Sequence, residues 1–163
     1  MLQNFRKKWQ TFWQNRLAPV KSRPLTDGEK RMAKSVFGEH LQLDDIRLKT
    51  AWWVLKNYAV SPNGNIYYHP DDWQADFADL SLAKRAWLIH ELTHVWQVQQ
   101  GIHVFTKALF NRKYSYVLTL GKPFLAYGVE QQARMVEDFY MHKERSQNCD
   151  AFFACIPFLT KNT

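Results

Sequence analysis

Residues 81–101 read SLAKRAWLIHELTHVWQVQQG, and the fold turns on this stretch. Ser81 suits the cap at a helix N-terminus, and Gly101 suits the position just past a C-terminus. The spacing between them predicts one long helix reaching Gln100. Its apolar members are Leu82, Ala86, Trp87, Leu88, Ile89, Leu92, Val95, Trp96 and Val98. They go almost all the way round, and a helix apolar on every side is a central, buried one. Polar side chains are costly in such a place unless they are paired. His90, Glu91 and His94 are therefore the informative residues of the stretch.

They form the run His90-Glu91-Leu92-Thr93-His94, the HExxH pattern of zinc sites. Residues four apart stack on one helix face, so both imidazoles can address one ion. Zinc takes nitrogen and oxygen ligands in a tetrahedral arrangement. Glu91, beside the first histidine, is placed to take the proton of a water activated by the metal. The bland alternative is a pair of packed core histidines with Glu91 bonded to one of them. The pattern of a third histidine six residues past the second is excluded, because Gln100 stands there and Gln97 replaces its glycine. His103 follows the helix stop and is a remote candidate ligand. Residues 127–140 read as a second amphipathic helix, with Val129, Ala133, Val136 and Tyr140 on its apolar stripe. Glu130, near its start, is the better third ligand and would complete a two-histidine, one-glutamate site. Its alternative is a surface pair with Arg134. Glu137, on the same side, is the rival ligand, and His142 a weaker one.

Outward from this centre, Ser61-Pro62-Asn63-Gly64-Asn65 predicts a tight hairpin turn, because Asn-Gly supplies positive φ. Ile66–His69 follows as a short strand ended by Pro70. Asp71, Asp72 and Asp76 surround Trp73 and Phe77 in an acidic, aromatic loop. Trp52, Trp53 and Val54 read as a short strand or buried segment. Thr26 to Glu29 has the form of a capping box before a helix from about Gly28 to Phe37, with Gly38 as its stop. Residues 1–17 read as a helix with Leu2, Phe5, Trp9, Phe12, Trp13 and Leu17 on one stripe. That helix either docks on a membrane surface or a partner, or packs on its own domain.

The chain has 163 residues, enough for one core, and 46% of them are hydrophobic, which excludes disorder throughout. No apolar run is long enough to span a bilayer, and no signal-peptide pattern opens the chain. The formal charge is +7, from 22 basic and 15 acidic side chains. Six of those seven charges come from Arg6, Lys7, Lys8, Arg16, Lys21 and Arg23. The body is nearly neutral and carries no nucleic-acid-binding signature, so a nucleic-acid partner is not expected. The reading divides the chain into a basic segment, 1–22, and a domain, 23–163. Cys149 and Cys155 are too few for a disulfide scaffold and read as two free thiols, with a bridge as the alternative.

Several stretches together resemble a known family. Arg23-Pro24-Leu25-Thr26-Asp27-Gly28-Glu29 with Val36-Phe37-Gly38 is similar to its opening. Asn63 to Pro70, Ala75-Asp76-Phe77 and Ile89 to Gln97 are similar to its middle, and Glu130-Gln131-Gln132-Ala133 to its close. The family is the Vgr-related, Rhs-associated group of zinc metallopeptidases, small gluzincin-like domains found with bacterial type VI secretion and contractile injection systems. The resemblance covers about residues 23–141. It implies an α+β, mostly helical, reduced zincin-like fold, with a small sheet or hairpin beside a buried active-site helix. It implies zinc held by His90, His94 and Glu130, with Glu91 as general base. It also implies a bacterial protein of the cytoplasm, or one exported by a type VI system, with a Vgr or Rhs component as partner. Many gluzincins carry an aspartate four residues past the ligand glutamate, where it orients a histidine. Arg134 stands there, so Glu137 or Asp138 takes that role, or the surroundings of the ligands differ.

In a zincin-like fold the strand Ile66–His69 would flank the active-site helix, and Tyr67, Tyr68 and His69 would border the cleft. Tyr127 and His103 are candidate donors to a tetrahedral oxyanion. The leading function is hydrolysis of a peptide bond in a polypeptide. The alternatives are a non-catalytic zinc-containing adaptor of the secretion system and a toxin that cuts cell-wall peptides.

Overall fold

The computed structural model describes residues 20–104 and 113–160. Four strands, β1 (Ser22–Pro24), β2 (Arg47–Thr50), β3 (Ala59–Val60) and β4 (Ile66–Tyr68), form one sheet. Among the described residues four α-helices accompany it: α1 (Asp27–Phe37), α2 (Leu82–Gln99), α3 (Val129–Glu144) and α4 (Asp150–Cys155). The architecture is mixed α+β. The helix expected over residues 1–17 lies outside the described residues.

Helix α1 starts where its capping box predicts. Thr26 Oγ1 accepts from the Glu29 backbone N–H at 3.1 Å, and Glu29 Oε2 accepts from the Thr26 N–H at 2.9 Å. Gly38, at φ 54°, ends the helix in a conformation that favours glycine. Glu29 does more than cap. It is fully buried, takes two hydrogen bonds from Arg23 at 2.7 and 2.8 Å, and accepts from the Phe77 N–H at 2.8 Å. One carboxylate thus ties β1, α1 and the loop before α2 together.

The sheet order is β1-β2-β4-β3. β1 and β2 are antiparallel, β2 and β4 are parallel with Leu48 opposite Ile66, and β3 and β4 are antiparallel. Two local expectations are corrected. Trp52, Trp53 and Val54 form a turn, with the two indoles 43% and 53% exposed and only Val54 buried. The strand lies earlier, at Arg47–Thr50, where Leu48 and Thr50 face inward in alternation. The Asn63-Gly64 turn is also wider than a two-residue hairpin. Val60 pairs with Tyr67, and Ile66 is already engaged with Leu48 on the other side. Gly64 alone of the pair has positive φ, at 81°, whereas a tight turn of that type needs two such residues.

Helices α2 and α3 pack on each other more extensively than any other two elements. From Leu88 to Gln97 every residue of α2 is buried, as an all-round apolar helix requires. Leu88, Ile89, Leu92 and Val95 meet Met135, Val136, Phe139 and Tyr140 of α3 in the core, with Leu48, Ile66 and Tyr68 from the sheet. The C-terminal segment closes the base of this core. Phe158 lies 5.1 Å from the Phe37 ring and 4.9 Å from Trp96. Cys149 and Cys155 are separate free thiols beside it. Burial raises both thiol pKa values. Among the described residues, no helix is long and apolar enough to cross a membrane.

Candidate metal centre

The i, i+4 spacing places His90 and His94 one turn apart on α2, with ring centroids separated by 4.9 Å. The packing of α3 against α2 brings Glu130, in the first turn of α3, to both rings. Its Oε2 is 3.4 Å from His90 Nε2 and 3.3 Å from His94 Nε2. All three side chains are buried, and one ligand atom from each lies within 4.8 Å of the others. Position in the first turn also favours a carboxylate, since a helix N-terminus carries partial positive charge.

The opposite face of each imidazole is held as well. His90 Nδ1 is 3.0 Å from Glu137 Oε2, and His94 Nδ1 is 2.8 Å from Gln97 Oε1. A carboxylate and an amide oxygen only accept, so each Nδ1 carries the hydrogen. That turns each Nε2 toward Glu130, to which it donates while protonated and beside which it would offer its lone pair to a metal once that proton is lost. Glu137 is anchored in turn by Arg134 at 3.2 Å, which also reaches Asp138 at 3.1 Å. Gln97 donates to the Val129 carbonyl at 3.0 Å and to Gln132 Oε1 at 2.9 Å. It therefore links α2 to the residue just before Glu130.

Electrostatics bind the group tightly. Burial pulls the His90 pKa down, but the hydrogen bonds it donates to Glu130 and Glu137 outweigh this and push the value up to about 10. Burial acts to raise Glu130, yet its bonds to His90 and His94 hold that carboxyl well below the usual range. Two imidazole nitrogens and one carboxylate, with both outer nitrogens satisfied, are the donor set of a divalent zinc site with an open position. The residues present fit that ion.

Glu91 is 4% exposed and accepts a hydrogen bond from Ser61 Oγ at 3.0 Å. It lines a cleft of about 380 Å³ together with His90, His94 and Glu130. The segment Asn57–Ala59 forms one wall, and Tyr114, Ser115, Trp87 and Arg134 others. The cleft thus opens on all three members of the triad and on the neighbouring carboxylate.

No protein-family model matches the sequence. The type VI secretion system spike protein VgrG2b of Pseudomonas aeruginosa is 34% identical over 137 residues, which is 74% of this chain. The match spans only 13% of the spike protein. The solved effector domain of VgrG2b superposes with a TM-score of 0.71 at 33% identity, covering 79% of each chain. The chain belongs to the family of the VgrG2b effector domain.

Within this member of the VgrG2b effector-domain family, the expected site residues divide clearly. His90, His94 and Glu130 come together, with Glu91 beside them in the same cleft. Glu137 meets the far nitrogen of His90 rather than the ligand atoms. His142 sits in the last turn of α3, 3.3 Å from the Asn148 carbonyl, and His103 is not part of the group. Tyr127 is no oxyanion donor, because its hydroxyl bonds the Val117 carbonyl and the Thr119 N–H, each at 3.0 Å. Nor does the stretch Tyr67–His69 border the cleft. β4 is an inner strand, Tyr68 is fully buried, Tyr67 packs on Trp53, and His69 Nδ1 accepts from the Asp71 N–H. The outer strand beside the site is β3, whose Ala59 lines the cleft. Sequence reasoning missed Gln97 and Ser61. Gln97 carried a usable signal, as a polar residue one turn past His94 in an apolar helix. Ser61 lies in a loop and carried none.

Proposed function

We propose that this chain is a type VI secretion-associated effector domain with a zincin-like active site that hydrolyses peptide bonds. The observation that carries the reading is the convergence of His90, His94 and Glu130 on one point, with Glu91 lining the same cleft. Similarity to the VgrG2b effector domain supports the association with secretion, and with a Vgr component as partner.

His90, His94 and Glu130 would hold the zinc. When bound, zinc supplies Lewis acidity, which lowers the pKa of water and polarises a carbonyl oxygen. The remaining work belongs to the chain. Glu91 takes the proton from the attacking water and later delivers it to the leaving amine. Glu137 and Gln97 keep both imidazoles in the ligating tautomer. The outer strand β3 offers backbone groups against which an extended polypeptide can lie. A polypeptide is the substrate class that fits an open cleft beside a strand edge.

The test uses purified protein, metal analysis and a Glu91→Gln variant. The expected result is about one zinc per chain in both proteins, and cleavage of an unfolded polypeptide by the wild type alone. Zinc in both with equal, background cleavage would favour a non-catalytic adaptor. Loss of zinc on His94→Ala or Glu130→Ala is expected as well.

A further inference from the structure

We infer that Ser61 is the positioning residue for Glu91, fixing the carboxylate in the orientation that accepts a proton from water. The inference rests on the peptidase reading of the site and deepens it. Ser61 and Glu91 are 5% and 4% exposed, and their side chains meet at 3.0 Å across 30 residues of sequence. An ionised carboxylate only accepts, so the serine hydroxyl is the donor. A glutamate side chain has three rotatable bonds, and a general base must sit within hydrogen-bond reach of the proton it takes. The bond engages Oε2, which leaves Oε1 as the oxygen for proton uptake.

The placement of Ser61 strengthens the point. It is the first residue after β3, and Ala59 of β3 lines the cleft. The element that walls the substrate space therefore also holds the base. The hydroxyl touches none of His90, His94 or Glu130 in any hydrogen bond found among the described residues, so its loss should spare the ligands. The effect should fall on the chemical step, where a misplacement of about 1 Å costs on the order of a hundredfold.

The experiment compares zinc-loaded wild type, Ser61→Ala, Ser61→Thr and Glu91→Gln, with fluorescein-labelled casein as the probe, and determines crystal structures of the first two. Ser61→Ala should keep its zinc and lose about tenfold to a hundredfold in kcat with KM nearly unchanged. Ser61→Thr, which keeps a hydroxyl, should recover most of that loss. In the Ser61→Ala crystal, the Glu91 carboxylate should leave its wild-type orientation. Unchanged kcat with Glu91 in place would overturn the inference, as would a loss confined to zinc content. If Ser61→Ala does not fold, Ser61→Cys, nearly isosteric but a weak donor, carries the same comparison. Wild-type protein no faster than Glu91→Gln would overturn the peptidase reading instead, and the crystallographic arm would still decide whether Ser61 fixes Glu91.

Discussion

His90 and His94 differ in what holds them. The first leans on a carboxylate, Glu137, and the second on a neutral amide, Gln97. Charge-assisted bonds are about twice as strong as neutral ones, so Glu137 should matter more for metal affinity. Glu137→Gln is expected to weaken zinc binding by about tenfold to a hundredfold, read by competition with a chromogenic chelator. An affinity equal to wild type would show that Glu137 does not tune the site. The Arg134 departure also finds its place here. Arg134 holds Glu137 and Asp138, and Glu137 is the carboxylate that meets His90 Nδ1. Which carboxylate does so was not decidable from spacing, since both Glu137 and Asp138 follow Glu130 at plausible distances. The two histidines and Glu91 were legible because a fixed i, i+4 geometry needs no tertiary information. Ser61 depends on where a loop crosses α2, which no local pattern encodes.

At the scale of elements, the long helices follow from their sequences. Residues 82–99 are helical, with Leu88 to Gln97 buried as their all-round apolar character demands, and the stop at Gly101 has φ 74°. The capping box of α1 is realised atom for atom. The short strands were harder. Strands of two to four residues, such as Ala59–Val60 and Arg47–Thr50, are too brief for a two-residue period to declare itself. The C-terminal segment was not anticipated as part of the core, although Phe158 packs between Phe37, Trp96 and Phe124. Its contribution is testable. Phe158→Ala should lower stability by about 3–5 kcal/mol, as for other buried aromatics cut to alanine. Denaturant unfolding followed by tryptophan fluorescence would read it, and a change under about 1 kcal/mol would mean the segment is only loosely docked.

Across the whole molecule, the cleft joins parts that are distant in sequence, with Tyr114 and Ser115 of the segment before α3 as one wall. α2 brings two histidines and a carboxylate, α3 brings Glu130 and Glu137, and the β3 side of the sheet brings Ser61 and one wall. The order β1-β2-β4-β3, with a parallel pair at its middle, comes from long-range pairing and was not legible in composition or spacing. The net charge of +7 says little about this site, since most of it belongs to the first 23 residues. Similarity to the VgrG2b effector domain covers 79% of the chain. The most direct measurement is anomalous diffraction at the zinc edge from crystals of the zinc-loaded protein. A single peak bonded to His90 Nε2, His94 Nε2 and Glu130, with its remaining position open to the cleft, is the predicted result. A peak elsewhere, or a fourth protein ligand closing the site, would contradict it.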